Sequence, residues 1–476
     1  MIEFFNTLSG KKEKFVPLSA EKGKTKDVGI YACGPTVYDF AHIGNFRTFI
    51  FGDLLRRFLE SEGFKVKHVM NITDVDDKTI AGAKAEHTEL KEFTDKYTDA
   101  FHEDLETLNI LKPNFPPEQP RATLEIPCML ELVAKLVKNG AAYESEGSVY
   151  FSIAKFQNYG KLSKKKLEMN IGGARVDSDT YEKEDGADFV LWKKAKEGEP
   201  SWESPWGRGR PGWHLECAAM SMKYLGETFD IHLGGEDLIF PHHENEIAQS
   251  EAATLKPFVR YWLHCRFLLV DGRKMSKSAG NFYTLRDLIK KGADPRALRY
   301  ALLATHYRVP LNFTLDGLGA AKKALEDINT FYSSVINHDK WGRSFSPDDR
   351  AGGLIDDLIR DFRQALSDDL NVSKALGVFH TFIGKIDAKV KRGELSKDEW
   401  KKLCDVLKTI NGILGVVRNQ DFEKFPQHVK DAKREREQLR AQKKFQETDK
   451  QRKEYDEKGF RFWDESSGVS GVAQIK

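Results

Sequence analysis

The feature that most constrains the fold is an alternation of strand and helix patterns near the N-terminus. An apolar run over residues 28–33 ends at Gly34-Pro35, as a buried strand would. Over residues 43–60 apolar side chains recur at helical spacing, and residues 64–72 read as a second strand. A strand, a helix and another strand in succession predict a parallel sheet with a crossover helix. We therefore predict an α/β fold.

The alternation is interrupted once and then gives way to helices. It weakens after Leu111, where several prolines break the chain, and only short strand patterns follow up to Pro211. It resumes with a strand over 228–233, a helix over 241–253 and a strand over 260–270. Helices are then predicted over residues 295–306, 315–336, 354–366, 372–390 and 397–414, with a loop over 339–353 and a charged helix over 429–459.

Charge and cysteine usage narrow the class of protein. Lys and Arg number 75 against 73 Asp and Glu, a net charge of +2, so any nucleic-acid surface must be a local patch. The five cysteines are an odd set without CxxC pairs, which indicates reduced thiols. No stretch has the apolar length of a signal peptide or a membrane span. We expect a cytoplasmic protein with no membrane partner.

The segment from Thr36 to Asn45 lies between the first strand and the first helix. Helix N-termini present free N–H groups to phosphates, Gly44 allows a nucleotide to approach the backbone, and His42 could donate to phosphate oxygens. The alternative is an N-capping cluster with a loop histidine, and the segment alone does not decide between the two.

A second segment follows the strand predicted over 260–270. It is Lys274-Met275-Ser276-Lys277-Ser278, the lysine loop. Its two lysines could close over a triphosphate and neutralise a leaving pyrophosphate. A solvated basic loop is the alternative. The order and long separation of the two segments suit the two halves of one nucleotide-binding fold. A capping cluster and a solvated basic loop would not explain why the two segments occur together.

Soft metal ligands occur at three distant places: Cys33, Cys217 and the segment His242-His243-Glu244-Asn245-Glu246. Two thiolates, an imidazole and a carboxylate can complete a tetrahedral zinc site, and residues 242 and 246 share one helix face. The spacing is not that of a standard zinc signature. A core cysteine and a capped helix are the alternative.

Seven segments together closely resemble the cysteinyl-tRNA synthetases, a family of class I aminoacyl-tRNA synthetases. They are YACGPTVY (31–38), HIGN (42–45), NITDVDDK (71–78), RPGWHLEC (210–217), FDIHLGG (229–235), PHHENE (241–246) and KMSKS (274–278). The resemblance covers roughly residues 1–310, and the combination is highly specific. Asn45 stands where the HIGH signature has a second histidine, and the C-terminal tail lacks the family's usual Trp-Arg ending.

The resemblance implies a cysteine–tRNA ligase, which forms cysteinyl-adenylate and pyrophosphate from L-cysteine and ATP and then loads the 3′ end of tRNA(Cys). It implies one Zn²⁺ per chain, which selects the substrate thiol, Mg²⁺ with ATP, and a monomer. The implied zinc ligands are Cys33, Cys217, His242 and Glu246, and the implied catalytic residues are His42, Asn45, Lys274 and Lys277. Cysteine would contact Thr73 and Trp213, and ATP would contact Thr36, His42, Gly44, Asn45, Gly234, Gly235, Asp237 and Lys277.

The predicted architecture is a Rossmann-like catalytic domain with an insertion, followed by a helical bundle and a small C-terminal module. Its parts are 1–112 (catalytic domain, first half), 113–211 (insertion), 212–265 (second half), 266–313 (lysine loop and stem contact), 314–420 (bundle) and 421–476 (anticodon-side module). Two rivals are a mycothiol-pathway ligase that joins cysteine to an amino sugar and a non-catalytic RNA-binding protein. The first lacks an anticodon-binding end, and the intact lysine loop and ligand set argue against the second.

Overall fold

The computed structural model describes residues 1–21, 23, 26–165, 188–338, 345–347, 351–418, 420–464 and 470–476. The strands are β1 (Glu3–Asn6), β2 (Lys11–Lys14), β3 (Asp27–Ala32), β4 (Lys65–Met70), β5 (Ala142–Ser145), β6 (Ser148–Phe151), β7 (Phe189–Lys194), β8 (Gly209–Pro211), β9 (Phe229–Gly235), β10 (Val259–Cys265), β11 (Leu268–Val270), β12 (Arg273–Lys274), β13 (Leu311–Phe313), β14 (Phe460–Asp464) and β15 (Ser470–Gln474). The α-helices are α1 (Leu18–Glu21), α2 (Ile43–Ser61), α3 (Asp77–Glu86), α4 (Leu90–Thr107), α5 (Ile126–Lys138), α6 (Trp213–Leu225), α7 (Glu244–Thr254), α8 (Leu285–Lys290), α9 (Pro295–Leu303), α10 (Leu315–Ile336), α11 (Gly352–Ser367), α12 (Val372–Lys391), α13 (Lys397–Leu414), α14 (Gln427–Ala441) and α15 (Phe445–Glu457).

A parallel sheet of four strands, in the order β10-β9-β3-β4, forms the centre of the N-terminal half. Tyr31 of β3 pairs with Val69 of β4 on one side and with His232 of β9 on the other. Helix α2 connects β3 to β4, and α7 connects β9 to β10, so the predicted parallel sheet with crossover helices is confirmed. Because β4 and β9 flank β3, the connections after β3 and β9 run apart and leave a crevice at the carboxyl ends of these strands.

The stretch between β4 and β9 contains an antiparallel sheet, β5-β6-β7-β8, packed with α5 and α6 around an apolar core that includes Trp192. The sheet returns the chain to α6, which begins at Trp213 beside the crevice. Its strands form a separate antiparallel sheet, but its apolar residues share one core with Tyr31, Val69 and Phe229 of the parallel sheet.

In the N-terminal half, one expected helix and one expected strand differ from those observed. The helix expected over 241–253 begins at Glu244, and Ile239–His243 form a wide turn in which Phe240 is extended (φ −141°, ψ 131°). An extended residue is favoured there because Pro241 disfavours helical geometry in the residue before it. The strand expected over 260–270 ends at Cys265 and restarts as β11 in another sheet. At this break the buried Arg47 donates to the carbonyls of Arg266 and Phe267, and the Phe267 carbonyl also accepts from the Leu311 N–H of β13, so the chain leaves β10 and joins the second sheet.

The C-terminal half is helical, as predicted, and ends in a small mixed module. Helices α10 to α13 bury a continuous apolar core. The single charged helix expected over 429–459 is two helices, α14 and α15, and the expected tail contributes β15, which pairs with β14. The loop expected over 339–353 lies largely outside the described residues. Within the described ranges, no helix is long and apolar enough to cross a membrane.

Candidate active site

A cavity of about 450 Å³ opens at the carboxyl ends of β3 and β9. Its walls are the loop after β3, the start of α2, the end of β9 and the segment that follows β11. Most of the residues predicted from the sequence line it: Cys33, Thr36, His42, Gly44, Asn45, Trp213, Gly234, Gly235, Asp237, Lys274 and Lys277. The fold therefore brings the two segments that were predicted to bind a nucleotide to one cavity.

His42 is the N-cap of α2, which confirms that this segment caps a helix as well as lining the cavity. Its Nδ1 accepts a hydrogen bond from the Asn45 backbone N–H at 3.1 Å, and Asn45 Oδ1 accepts from the His42 backbone N–H at 3.1 Å. Burial lowers the pKa of His42, so the ring is neutral near pH 7 and carries its proton on Nε2. The cap leaves Nε2–H of His42 and the amide N–H groups of Asn45 as the donors at the helix terminus. A Cβ at Gly44 would lie 3.0 Å from the His42 ring.

The lysine loop is tied to the start of α2 and to itself. The Ile43 N–H donates to the Tyr283 carbonyl at 3.0 Å. Asn281 accepts from the Ser276 N–H at 2.9 Å and donates to the Lys274 carbonyl at 3.2 Å, which holds the loop in a compact turn. Lys277 forms an ion pair with Asp39 across the cavity mouth, and its own side chain is 67% exposed. This lysine is therefore positioned near the helix terminus yet remains accessible to a ligand.

A buried cluster of metal-ligating side chains adjoins the cavity. Ligand atoms of Cys33, His242, His243 and Glu246 all lie within 4.8 Å of one another. Glu246 Oε1 lies 3.0 Å from His242 Nε2 and 3.7 Å from Cys33 Sγ. Cys217 is buried nearby, where its Sγ lies 3.6 Å from Asn71 Oδ1 and where Cys33 and His242 lower the pKa of its thiol. Three of the four predicted ligands, Cys33, His242 and Glu246, thus meet together with His243, and the fourth, Cys217, lies outside this group of atoms.

The cluster is arranged to hold charge despite its burial. A hydrogen bond from Cys33 lowers the pKa of Cys217, whereas burial raises the pKa of Cys33. Burial opposes the charged forms of His242 and Glu246, but their mutual attraction wins: the pKa of His242 is raised to about 10, and that of Glu246, which His232 also stabilises, is lowered to about 2. Once His242 gives up its proton, thiolate, imidazole and carboxylate form a donor set suited to a divalent cation such as Zn²⁺.

Two further buried histidines support the cluster and were not among the predicted site residues. His232 Nε2 lies 2.9 Å from Glu246 Oε2, and its ring stacks on Trp262 at 4.6 Å. His264 Nε2 lies 2.8 Å from His243 Nδ1. Residue 232 falls within a segment that carries the family resemblance, but only the sheet register shows that both histidines point towards the cluster.

The two residues predicted to contact cysteine lie in different surroundings. Trp213 is 37% exposed, lines the cavity and stacks on His242 with ring centroids 4.2 Å apart. Thr73 is buried, donates to Glu216 at 2.8 Å and accepts from Asn71 at 3.1 Å. Because Thr73 pairs as a parallel bridge with Thr36, it lies directly behind the cavity wall.

Comparisons with known proteins agree with this geometry. Residues 19–323 match the family model described as tRNA synthetases class I (C) catalytic domain, and residues 361–418 match the DALR domain. A cysteine–tRNA ligase of Chlamydia muridarum is 46% identical, with 98% of each chain covered. One of Koribacter versatilis is 48% identical over 89% of this chain and 83% of that protein.

Solved structures show the same fold at low identity. A putative arginyl-tRNA synthetase of Campylobacter jejuni aligns with a TM-score of 0.57 and 14% identity, covering 83% of this chain and 94% of the other. The methionyl-tRNA synthetase of Mycobacterium tuberculosis in complex with methionyl-adenylate aligns with a TM-score of 0.58 and 15% identity, covering 82% and 90%.

The parallel sheet, the capped helix terminus and the lysine loop around one cavity define a class I aminoacyl-tRNA synthetase. Identity near 46% over almost the whole chain then specifies the family. The chain belongs to the cysteine–tRNA ligases.

Proposed function

We propose that the chain activates L-cysteine with ATP to cysteinyl-adenylate and pyrophosphate, and then transfers cysteine to the 3′ end of tRNA(Cys). The observation that carries this proposal is the juxtaposition of a thiol-binding donor cluster with an ATP-sized cavity. The cavity by itself would serve several amino acids. The adjoining set of Cys33, His242 and Glu246, with Cys217 behind it, specifies a substrate that has a soft ligand atom.

The donor set fits one zinc ion. Sγ of Cys33, Nε2 of His242 and Oε1 of Glu246 converge, and Cys217 lies beside them with a lowered pKa. Zinc prefers such sulfur and nitrogen ligands, whereas Mg²⁺ and Ca²⁺ prefer oxygen alone. When bound, the ion supplies a Lewis acid that accepts a thiolate far better than a hydroxyl, so no editing step is needed to reject serine. We propose Cys33, Cys217, His242 and Glu246 as its ligands.

The choice of these four ligands can be tested against the fifth candidate, His243. His243 Nδ1 is held by His264, and its Nε2 lies 3.3 Å from Cys33 Sγ, where it can support that thiolate without binding the metal. We expect Cys217→Ser to abolish stoichiometric zinc in metal analysis and His243→Gln to retain it. The reverse result would replace Cys217 by His243 in the ligand set.

The chain's own residues carry the adenylation step by positioning and electrostatics. The neutral His42 donates through Nε2–H and Asn45 through its amide, both at the positive end of α2, where phosphate oxygens gain charge. Lys274 and Lys277 neutralise the leaving pyrophosphate with the Mg²⁺ that accompanies ATP. The nucleotide lies along Thr36, Gly44, Gly234, Gly235 and Asp237. The cysteine carboxylate attacks the α-phosphorus directly, so no enzyme nucleophile is required.

The substrate side of the cavity is formed by Trp213 and the wall behind it. The Trp213 ring covers His242 and presents its other face to the cavity, which suits the aliphatic part of a cysteine. The hydroxyl of Thr73 is already hydrogen-bonded to Glu216 and Asn71, so direct contact with cysteine requires a shift of this hydroxyl. In its present position Thr73 acts by fixing the Thr36 segment through the bridge between the two residues.

A cysteine ligase that uses an amino sugar would share this catalytic region. The matched DALR domain over residues 361–418 and the module of α14, α15, β14 and β15 instead favour a long RNA substrate. We propose the six-part domain division given above with the bundle and this module on the anticodon side.

Two assays test the proposal. Zinc-loaded protein should support cysteine-dependent exchange of pyrophosphate into ATP, and absence of exchange would refute every enzymatic proposal made here. Purified tRNA(Cys) should then be charged with cysteine. Exchange without charging, together with cysteine transfer to an amino sugar, would favour the small-molecule ligase.

A further inference from the structure

An exposed aromatic ring on the cavity wall is not used by the mechanism above. Tyr38 lies in the loop after β3, lines the cavity and is 39% exposed. The ammonium of Lys78, in the first turn of α3, sits 5.3 Å from the centre of its ring. An accessible ring beside a cation is the combination that binds an unstacked nucleotide, with the base on the ring and the phosphate on the cation.

The position of this pair separates it from the nucleotide site of ATP. Helix α3 follows β4, which pairs with β3 on the side opposite to β9. Gly234, Gly235 and Asp237, assigned to the adenosine of ATP, all lie at or after the end of β9. Tyr38 and Lys78 therefore belong to the β4 side of the cavity, away from the residues at the end of β9 that are assigned to the adenosine.

The β4 side is also where the inserted sheet meets the catalytic core. Asp77, the neighbour of Lys78, forms ion pairs with Lys193 of β7, at 3.0 Å, and with Arg210 of β8. These contacts fix the start of α3 against the insertion, so the Tyr38–Lys78 pair has a rigid support.

We propose that Tyr38 and Lys78 form the subsite for the 3′-terminal nucleotide of the tRNA: the terminal adenine stacks on Tyr38, and a phosphate of the same strand contacts Lys78. This proposal rests on the proposed function, since it places the RNA that accepts cysteine. The subsite orients the terminal ribose towards the aminoacyl adenylate. Removing an aromatic ring that stacks on a base commonly weakens nucleic-acid binding by about tenfold or more. Loss of the Tyr38 ring should therefore slow the transfer of cysteine to tRNA roughly tenfold.

The first experiment compares the two half-reactions in the zinc-loaded full chain. Tyr38→Ala should slow single-turnover transfer from preformed cysteinyl-adenylate to tRNA roughly tenfold more than it slows pyrophosphate exchange, and Tyr38→Phe should restore transfer because the ring is retained. Equal losses in both reactions would assign Tyr38 to ATP or cysteine and overturn the proposal. Absence of exchange in the wild-type protein would instead refute the proposed function.

The second experiment removes the proposed ligand, the terminal adenosine, from the tRNA. Wild-type protein should bind tRNA that lacks its terminal adenosine roughly tenfold more weakly than intact tRNA, and Tyr38→Ala should bind the two RNAs within about twofold of each other. The same penalty in both proteins would show that Tyr38 does not contact that adenosine.

The lysine has a separate prediction and a matched control. Lys78→Gln should reduce the slope of log affinity against log salt for intact tRNA by about one, because one phosphate contact is lost. Lys84→Gln changes another exposed lysine of α3, further from the cavity, and should leave the slope unchanged. Equal slopes for Lys78→Gln and the wild-type protein would remove Lys78 from the subsite.

Discussion

Replacing His232 by Phe is expected to weaken zinc binding without removing a ligand. The two oxygens of Glu246 face different partners: Oε1 lies 3.0 Å from His242 Nε2, and Oε2 lies 2.9 Å from His232 Nε2. His232 therefore fixes the carboxylate so that Oε1 is presented to the metal. Phenylalanine preserves the stacking on Trp262, at 4.6 Å between centroids, but leaves Oε2 buried without its donor.

The magnitude follows from the contact that is lost. Removal of a hydrogen-bonding partner behind a metal ligand commonly costs about 10- to 100-fold in metal affinity. A 10- to 100-fold change corresponds to about 1.4–2.7 kcal/mol, which overlaps the range of about 1.5–3 kcal/mol for a hydrogen bond to a charged group. We therefore expect His232→Phe to raise the zinc dissociation constant by about 10- to 100-fold, and His232→Gln, which keeps an N–H donor, to recover part of the loss.

Zinc affinity is measured by equilibrium competition with a chromophoric chelator, alongside the melting temperature of the metal-free protein. His380→Phe is the matched control, because it removes a histidine that contacts Tyr300 in the helical region at 2.7 Å and should leave zinc affinity unchanged. A folded His232→Phe protein with a zinc dissociation constant within twofold of the wild-type value would refute the assigned role of His232.

Three further changes have defined outcomes. Asp39→Asn removes an ion pair with the exposed Lys277, and this ion pair competes with the phosphates of ATP for the lysine. The KM for ATP in the exchange assay should therefore fall by a few-fold, since an exposed ion pair contributes less than about 1 kcal/mol. A rise in this KM would mean that Asp39 helps to hold the nucleotide. Lys277→Ala should slow exchange at saturating substrates by about 100-fold, while the dissociation constant for cysteine, measured by calorimetry, changes little. The control is Lys290→Ala, which changes an exposed lysine of α8. An unchanged exchange rate in Lys277→Ala would refute the role of Lys277. Burial lowers the pKa of His68 to about 3, so the unfolded chain takes up its proton first as pH falls below 6.5, and stability is lost from there downwards. His68→Phe should remove about 2 kcal/mol of that loss at pH 5, and a wild-type melting temperature that drops no more than the variant's between pH 7.5 and pH 5 would contradict this.

Local periodicity was sufficient to predict the elements that bury one continuous apolar face. Strands β3 and β4 and helices α2, α10 and α13 lie close to their predicted limits, because each pairs a strong apolar pattern with a clear terminus. The exceptions depend on distant residues. Strand β10 ends where Arg47 takes up the next carbonyls, and β15 forms from a small-residue tail because Phe460 to Asp464 offer it a partner strand.

Most of the residues that meet at the candidate metal site could be predicted from the sequence, but the contacts that support them could not. Cys33, His242 and Glu246 could be proposed from residue type and from the family resemblance, and the structure places them together. His232 and His264 act through hydrogen bonds between strands and a helix that are far apart in sequence. Such partners depend on strand register and side-chain direction, which residue spacing alone does not encode.

The central claim is that the buried thiol, imidazole and carboxylate cluster selects cysteine for activation by ATP. The most direct measurement is amino-acid-dependent ATP–pyrophosphate exchange with zinc-loaded, metal-stripped and zinc-restored protein, using cysteine and serine in parallel. We expect exchange with cysteine and not with serine, loss of exchange on removal of zinc, and recovery when zinc is restored. Undiminished cysteine-dependent exchange in folded, metal-free protein would contradict the account.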